Sequence, residues 1–365
     1  MYRVVNRLLA CPKKMPDVAA LKVETNSNIP LNVIIRKLFP YCLIQRHPLS
    51  VNISVTGHYI FAGAQGHYDS VFINKKFLAF GRPVLHCRAV KLAYDIFKSV
   101  SAPNQNPLVV MHGLLGCKRN WRSIARALNS RGFGKVYCVD ARNHGSSPWS
   151  KDMNYEFLAE DILNFINQLE ASDVSLIGHS MGGKAAMMAA LMEPSMINRL
   201  VVVDIAPNIS PNRATTGLFL SLMNHVDTRR MTRAGSVHTL RARLMEEWKE
   251  AVPSYHQRAF ILDNLVESGG RAVWRVNVKA IHDNLSDIFA FPFSREDDNI
   301  TFNGPALFVS GELSPFLKSD QMPYVLHFFP RAKRVEIPGA GHWINADAPG
   351  LLIDNLAEFL SLQHF

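Results

Sequence analysis

The most informative motif of the sequence is Gly178-His179-Ser180-Met181-Gly182, which follows the apolar run 174–177 and precedes a helix-forming run over 184–191. A serine on a sharp strand-to-helix turn projects its hydroxyl out of the turn, and glycines two residues before and after it remove side chains that would collide there. The helix that follows points its N-terminus at any anion formed beside the serine. The pattern predicts that Ser180 is a nucleophile.

A second motif, His112-Gly113-Leu114-Leu115-Gly116, lies upstream and follows the apolar run 108–111. A nucleophilic serine needs backbone donors at the point where negative charge develops on the substrate oxygen. The glycine-bounded turn can offer the N–H of Leu114, and the serine turn can offer that of Met181. We therefore predict that Leu114 and Met181 form an oxyanion hole.

The predicted general base is His342, in the glycine-rich stretch Pro338-Gly339-Ala340-Gly341-His342-Trp343. In this architecture the histidine follows the serine in chain order, and a glycine-rich loop lets its imidazole reach over the sheet to Ser180. Two other histidines are assigned structural roles. His179 is expected to be a packed or hydrogen-bonded neighbour of the serine, and His144 is expected to brace a turn.

The acid that orients the histidine has two candidates. Its usual position, three residues after Gly311, is occupied here by Ser314, and Glu312 lies two residues short of that position. Asp204 follows the apolar run 200–203, and a carboxylate on this neighbouring strand can reach the same imidazole, because triads are defined by geometry. The sequence favours Asp204 and leaves Glu312 as the alternative.

Apolar runs alternate with helix-like segments beyond about residue 87, which predicts an α/β fold with a mostly parallel central sheet flanked by helices. The predicted strands are Leu108–Met111, Val136–Val139, Val174–Ile177, Leu200–Val203, Leu307–Val309 and Arg334–Ile337. The predicted helices of this sheet are Asn120–Arg131, Tyr155–Glu170, Met181–Glu193, Ser319–Phe329 and Pro349–Leu362.

The segment between Asp204 and Pro305 is too long to be a loop in a compact domain. We predict a helical cap over about residues 208–300, above the carboxyl edge of the sheet. Its expected helices are Leu240–Lys249, Ala259–Val266 and Trp274–Ile281.

The net charge of +10 is concentrated at one end of the chain, since residues 1–85 carry +8 and the rest only +2. The body of the protein therefore lacks the basic surface that nucleic-acid binding requires, and no nucleic-acid motif is found. We expect no nucleic-acid partner. The Gly132-Phe133-Gly134 stretch lacks the third glycine of a dinucleotide fingerprint, and no metal or organic cofactor is expected.

The N-terminus is predicted to be a mitochondrial targeting segment, because Arg3 and Arg7 alternate with apolar residues in an acid-poor stretch. The alternative is a disordered basic extension of a cytoplasmic protein. We assign residues 1–86 to this basic extension and 87–365 to the main domain. No run is apolar enough for a transmembrane helix. The five cysteines form no C-x-x-C pair, which favours a reducing compartment.

The chain resembles the α/β-hydrolase superfamily, most closely a branch that includes bacterial esterases, over roughly residues 88–365. The matching stretches are His112–Gly116, Asp140–Gly145, Gly178–Lys184, Val203–Pro207, Trp274–Asn277 and Ala340–Trp343. The resemblance implies a triad of Ser180, His342 and Asp204, and a cap between the sixth and seventh strands. Some relatives carry a further acid two residues after the last Asn of Trp274–Asn277. This chain has Lys279 there, which favours Asp204.

The resemblance implies a serine hydrolase of the carboxylesterase or acylglycerol lipase type, located in the mitochondrial matrix. The expected substrate is a small acyl ester or an acylglycerol. Peripheral contact with a membrane is compatible with such a substrate. Two rival hypotheses remain. One is an acyl-thioesterase with the same triad. The other is a weakly active hydrolase-fold protein that acts mainly as a partner of a mitochondrial enzyme complex.

Overall fold

The computed structural model describes residues 51–56, 59–64, 71–74, 89–98, 106–169, 171, 173–226, 235–297 and 300–361. The chain divides into two units, Met1–Ala89 and Val90–Phe365, which are considered separately. The targeting segment with Arg3 and Arg7 lies outside the described residues. So does the boundary after residue 86, and both stay predictions.

The first unit contains a three-stranded antiparallel sheet that the sequence analysis did not predict. Its strands are β1 (Val51–Thr56), β2 (Tyr59–Ala64) and β3 (Val71–Asn74). The order is β1-β2-β3, so each strand pairs with the next along the chain.

The second unit is built on a seven-stranded sheet, which confirms the predicted α/β fold. Its strands are β4 (Tyr94–Lys98), β5 (Leu108–Met111), β6 (Lys135–Val139), β7 (Val174–His179), β8 (Ile197–Val203), β11 (Ala306–Gly311) and β12 (Ala332–Ile337). The order is β12-β11-β8-β7-β5-β6-β4, with only β4 antiparallel to its neighbour. Since β6 and β7 lie on opposite sides of β5, the chain reverses its direction of winding there. Such a reversal opens a crevice at the carboxyl ends of the strands.

Strand β4 was not predicted from the sequence, for a physical reason. Its two ends are exposed and its middle residues are only half-buried, so it lacks the continuous apolar run of the central strands. Strands that are buried on both faces consist of consecutive apolar residues, whereas in an edge strand apolar and polar residues alternate or polar residues dominate. The predicted strands include the buried central ones, together with the last part of the edge strand β12.

Helices cover both faces of the sheet near the predicted positions. They are α1 (Arg122–Ser130), α2 (Tyr155–Gln168) and α3 (Met181–Met192), with α9 (Met322–Phe328), α10 (Ile344–Asp347) and α11 (Pro349–Ser361) near the C-terminus. One core layer joins Val110 and Ile177 of the sheet to Leu128 of α1 and Leu356 of α11. All twelve residues of α3 are buried, so the helix behind Ser180 is held rigidly.

The insertion between β8 and β11 covers about residues 208–300 and is not purely helical, which corrects the sequence-based prediction. Its elements are α4 (Arg213–His225), α5 (Val237–Glu247), α6 (Tyr255–Leu262), β9 (Leu265–Ser268), β10 (Arg271–Trp274), α7 (Val278–Asp283) and α8 (Leu285–Phe289). Among the seven described strands of the sheet, it follows the fifth rather than the sixth. Within the described residues, no helix is long and apolar enough to cross a bilayer.

Two predicted helices of the insertion are wrong in part. Ala259–Val266 ends as a helix at Leu262, and Trp274–Ile281 becomes helical only at Val278. Between them, β9 and β10 pair antiparallel around Gly269-Gly270, which have φ of 56° and 72°. A two-residue turn with positive φ at both positions favours a hairpin, so the Gly-Gly pair was the overlooked signal.

Lys184 of α3 forms hydrogen bonds with residues near both ends of the insertion. Its side chain is fully buried, and its Nζ donates hydrogen bonds to the carbonyls of Asn208, Phe289 and Ala290 at 2.6, 3.1 and 2.8 Å. Asn208 lies where the insertion begins and Phe289-Ala290 where α8 ends. Burial lowers the pKa of Lys184 to about 7.

The lowered pKa of Lys184 predicts that the stability of the fold depends on pH. Its pKa is about 7 in the folded chain and 10.5 ordinarily, so the unfolded chain binds more protons across that window. The free energy of unfolding should therefore rise with pH there, by up to about 1.4 kcal/mol per unit. Urea unfolding at pH 6.5, 8 and 9.5 measures it, with Lys184→Met as the reference. Parallel profiles for the two proteins would contradict the prediction.

Candidate active site

The turn that carries Ser180 is strained and tightly packed. Ser180 has φ of 53° and ψ of −119°, a conformation that residues with a side chain rarely adopt. A Cβ on Gly178 would lie 2.1 Å from the Gly182 carbonyl oxygen, and one on Gly182 would lie 2.5 Å from the His112 carbonyl oxygen. The glycines on both sides of the serine are therefore required by the close approach of backbone, as the sequence predicted.

Ser180, His342 and Asp204 form one hydrogen-bonded chain. The Nε2 atom of His342 lies 3.0 Å from Ser180 Oγ, and its Nδ1 atom lies 2.7 Å from Asp204 Oδ2. A carboxylate only accepts, so Nδ1 carries the proton and donates it to Asp204. Nε2 is then free to accept the hydroxyl proton of Ser180, which is the arrangement that activates a serine.

Asp204 is a fully buried carboxylate with donors on both oxygens. It has φ of 56°, which turns the chain at the end of β8. Its Oδ1 accepts the Gly311 N–H at 3.0 Å, and its Oδ2 accepts the hydroxyl of Ser314 as well as His342. Hydrogen bonds to the ionised form stabilise a buried carboxylate. Ser314, at the position where the acid was expected, thus donates a hydrogen bond to Asp204 at the end of β8.

Glu312, the alternative acid, lies in a different place. Its side chain is exposed, and its carboxylate accepts the backbone N–H of Gly339 at 2.7 Å. The structure brings Asp204, and not Glu312, to the imidazole of His342.

The imidazole of His342 is held by its neighbours as well as by Asp204. The ring of Phe316 stacks on it at 4.0 Å between centroids and an angle of 24°. The Nε2 of His179 donates to the His342 carbonyl at 2.8 Å, so His179 is the hydrogen-bonded neighbour that was predicted. Burial, together with the nearby His342, lowers the pKa of His179 to about 3, and this ring is therefore neutral.

The predicted oxyanion donors flank Ser180. Met181 is the first residue of α3, and the first N–H groups of a helix have no partner within it. Leu114 lies in the turn after β5, and both residues line the same cavity as Ser180. A Cβ on Gly113 would lie 2.9 Å from the His179 ring and 3.1 Å from Ser180 Cβ, so this turn needs glycine to approach the serine.

The cavity in front of Ser180 has a volume of about 550 Å³, within the range of small-molecule sites. Its lining includes the aromatic and aliphatic side chains of Tyr155, Phe219, Ile288 and Phe289, the last three from the insertion, beside polar residues such as Asn212 and Gln257. A carbonyl compound with an apolar group can therefore make apolar contacts beside Ser180.

Sequence reasoning missed two groups of the site. Phe316 gave no motif, because stacking on a distant imidazole depends on the fold alone. Ser314 did give a signal, since it occupies the usual position of the acid, but its contact with Asp204 was not foreseen. Among the described residues, no group of three or more His, Cys, Asp or Glu could hold a metal ion.

Comparison with known proteins identifies relatives over most of the chain. A family model described as the alpha/beta hydrolase fold matches residues 106–349. The chain is 38% identical over 271 residues to the sn-1-specific diacylglycerol lipase ABHD11 (abhydrolase domain-containing protein 11) of Danio rerio, covering 74% of this chain and 83% of that protein. It is 30% identical over 258 residues to esterase YbfF of Escherichia coli, covering 71% of this chain and 94% of that protein.

A solved structure gives the same result. The structure described as a marine microorganism esterase superposes with a TM-score of 0.67 at 34% identity, covering 74% of this chain and all of that one. The resemblance to this superfamily, and to ABHD11 and bacterial esterases within it, is confirmed.

The geometry predicts which acid supports His342. Changing the acid of a serine triad to its amide lowers kcat by about 10⁴-fold, because the imidazole is held in the wrong tautomer. We expect Asp204→Asn to slow the reaction of Ser180 with a fluorophosphonate probe by a factor of that order, as measured by labelling kinetics. Glu312→Gln is the matched control and should react within about twofold of the native rate, since an exposed carboxylate away from the imidazole contributes little. The reverse pattern would assign the role to Glu312.

Proposed function

The chain belongs to the α/β-hydrolase family, and from this membership we propose that it is a serine hydrolase that cleaves acyl esters through a Ser180–His342–Asp204 triad and an acyl-enzyme intermediate. The observation that carries the proposal is the hydrogen-bonded chain from Ser180 Oγ through His342 to Asp204 Oδ2. No cofactor enters the reaction.

In the first step, His342 Nε2 takes the proton of Ser180 while Oγ attacks the ester carbonyl carbon. The N–H groups of Leu114 and Met181 stabilise the oxyanion that forms. Asp204 stabilises the imidazolium, and the hydroxyl of Ser314 and the N–H of Gly311 hold the carboxylate in place. When the carbon–oxygen bond to the alcohol breaks, the imidazolium gives its proton to the leaving alcohol.

In the second step, water replaces the alcohol. His342 takes a proton from the water as its oxygen attacks the acyl-enzyme carbonyl, and the same two N–H groups stabilise the second oxyanion. Collapse of this intermediate returns the proton to Ser180 Oγ and releases the carboxylic acid. The free serine and neutral histidine are restored.

We propose acylglycerols as the substrate class. The relatives named as diacylglycerol lipases are 37–39% identical to this chain. The cavity supports the same choice, since its lining includes both Ser180 and the side chains of Tyr155, Phe219, Ile288 and Phe289, against which an acyl chain can pack.

The proposal predicts ester hydrolysis that depends on Ser180. The purified chain should be labelled by a fluorophosphonate probe and should hydrolyse diacylglycerol and p-nitrophenyl esters. Ser180→Ala should abolish labelling and lower kcat by about 10⁶-fold, because the nucleophile acts as a unit with its base. Labelling on a gel and turnover by product release measure the two effects.

Acyl-CoA thioesters of matched chain length, measured beside the esters, test the rival hypothesis. A kcat/KM for thioesters at least about tenfold above that for esters, which is 1.4 kcal/mol of transition-state preference, would favour a thioesterase. A chain that shows neither labelling nor turnover would be a binding partner instead. Ser180→Ala should keep the fold, so its circular dichroism spectrum is the control.

We further propose that the basic N-terminal extension directs the chain to mitochondria. The support is its composition, since residues 1–85 carry +8 and include Arg3 and Arg7 in an acid-poor apolar stretch. The full-length chain with a C-terminal fluorescent protein should therefore overlap a mitochondrial marker.

Charge reversal tests this location. The double change Arg3→Glu and Arg7→Glu should disperse the fluorescence into the cytoplasm, because a basic amphipathic presequence loses its positive face. The matched control is Lys75→Glu with Lys76→Glu, which removes the same charge from elsewhere in the extension and should leave the location unchanged. Cytoplasmic fluorescence of the native chain would contradict the proposal.

A further inference from the structure

Leu115, next to the oxyanion donor Leu114, has a backbone conformation that needs external support. Its φ is 59°, in the left-handed region that a leucine rarely adopts. Such a conformation persists only where surrounding contacts fix it. The contacts that fix Leu115 come from two separate parts of the protein.

The core supplies the first contact. The Leu115 N–H donates to Nε2 of His144 at 3.1 Å, and Nδ1 of His144 donates to the Arg142 carbonyl at 2.9 Å. The ring is fully buried, and burial lowers its pKa to about 3. His144 thus stays a neutral acceptor at any pH near 7 and braces the turn, as the sequence predicted.

The insertion supplies the second contact. Nδ2 of Asn264, which lies between α6 and β9 and is 1% exposed, donates to the Leu115 carbonyl at 2.8 Å. Asn264 is held in turn by Arg275, whose N–H donates to the Asn264 carbonyl at 2.7 Å and whose guanidinium binds the Asp263 carboxylate at 2.8 Å. Arg275, from the Trp274–Asn277 motif, is therefore the residue that fixes the position of Asn264.

The hydrogen bond from Asn264 continues through two peptide groups to the oxyanion hole. In a planar trans peptide the C=O and N–H point in opposite directions. The Leu115 carbonyl shares its peptide with the Gly116 N–H, which donates to the Gly113 carbonyl at 3.0 Å. The Gly113 carbonyl shares its peptide with the Leu114 N–H. Nδ1 of His112 also donates to the Gly113 carbonyl, at 2.8 Å.

We propose that Asn264 is a positioning residue for the oxyanion hole and acts through this amide chain, which runs from Asn264 Nδ2 through the Leu115–Gly116 and Gly113–Leu114 peptides. Hydrogen bonds in series also polarise one another, so the donation by Asn264 strengthens the donor at Leu114. The inference rests on the proposed function. It means that the insertion contributes to the chemical step and not only to the wall of the cavity.

The test compares Asn264→Leu with the native chain. The change keeps the approximate size of the side chain and removes the donor. Loss of an oxyanion donor costs about 10²- to 10³-fold in kcat, so weakened positioning should cost roughly 10- to 100-fold. KM for a soluble ester should stay within about twofold, because Asn264 does not line the cavity.

A trifluoromethyl ketone separates positioning from general damage. It adds to Ser180 and places an oxyanion in the hole, so its inhibition constant should rise by the same factor by which kcat falls. Asn277→Leu is the matched control. Its side chain donates to Asn143 Oδ1 at 3.1 Å and accepts the Ala280 N–H at 3.2 Å, and both hydrogen bonds lie outside the amide chain. This control should lower the midpoint of thermal unfolding and leave kcat and the inhibition constant near native.

Asn264→Asp keeps the experiment decisive if the leucine variant does not fold. The introduced carboxyl can donate to Leu115 only while protonated, so kcat relative to the native chain should fall as pH rises. Native-like kcat and inhibition constant in a folded Asn264→Leu, or a flat relative pH profile for Asn264→Asp, would overturn the inference. Failure of the proposed function differs, because the native chain itself would then show no Ser180-dependent turnover.

Discussion

The structure depends on one strained turn, in which Ser180 is held at φ of 53° between β7 and α3. Such a conformation costs about 1–3 kcal/mol, and the rest of the fold must supply it. The support is visible on every side. The Ser180 N–H donates to the Val203 carbonyl of the neighbouring strand at 2.9 Å, and its carbonyl accepts the N–H of Lys184 at 3.0 Å. The glycines of the turn let the β5 backbone approach it closely. The hydroxyl of Ser180 is therefore held in place by three features of the fold. They are the order of the strands, the burial of α3 and the path of the chain after β5.

The parts of the fold that could be predicted are those in which burial produces a recognisable pattern of apolar residues. Strands β5, β7 and β8 are covered on both faces and therefore appear as apolar runs. The exposed edge strand β4 carries no such pattern, and the β9–β10 hairpin was hidden within residues that favour helices. Its one local signal was a Gly-Gly pair, which fixes a turn but does not by itself say that strands flank it.

The candidate site divides in the same way. Ser180 and His342 could be found because local glycines mark the turns that present them. The spacing favoured Asp204 over Glu312 but left both open, since the choice depends on which strand end faces the imidazole. The stacking of Phe316 and the contact of Ser314 with Asp204 join residues that only tertiary folding brings together. Catalytic groups on turns thus leave a trace in sequence, whereas the side chains that steady them leave little.

The attachment of the insertion has an evolutionary consequence. Segments at this position are natural places for a family to change what it binds, because the sheet and its turns can stay constant while the pocket wall varies. Here, however, the wall is tied at its two ends by Lys184 and at its middle by Asn264. A chimera that exchanged this segment would receive a new pocket but would lose these ties unless the matching residues travelled with it. We therefore expect substitutions within the segment to change what this cavity binds at a smaller cost in stability than exchange of the whole segment.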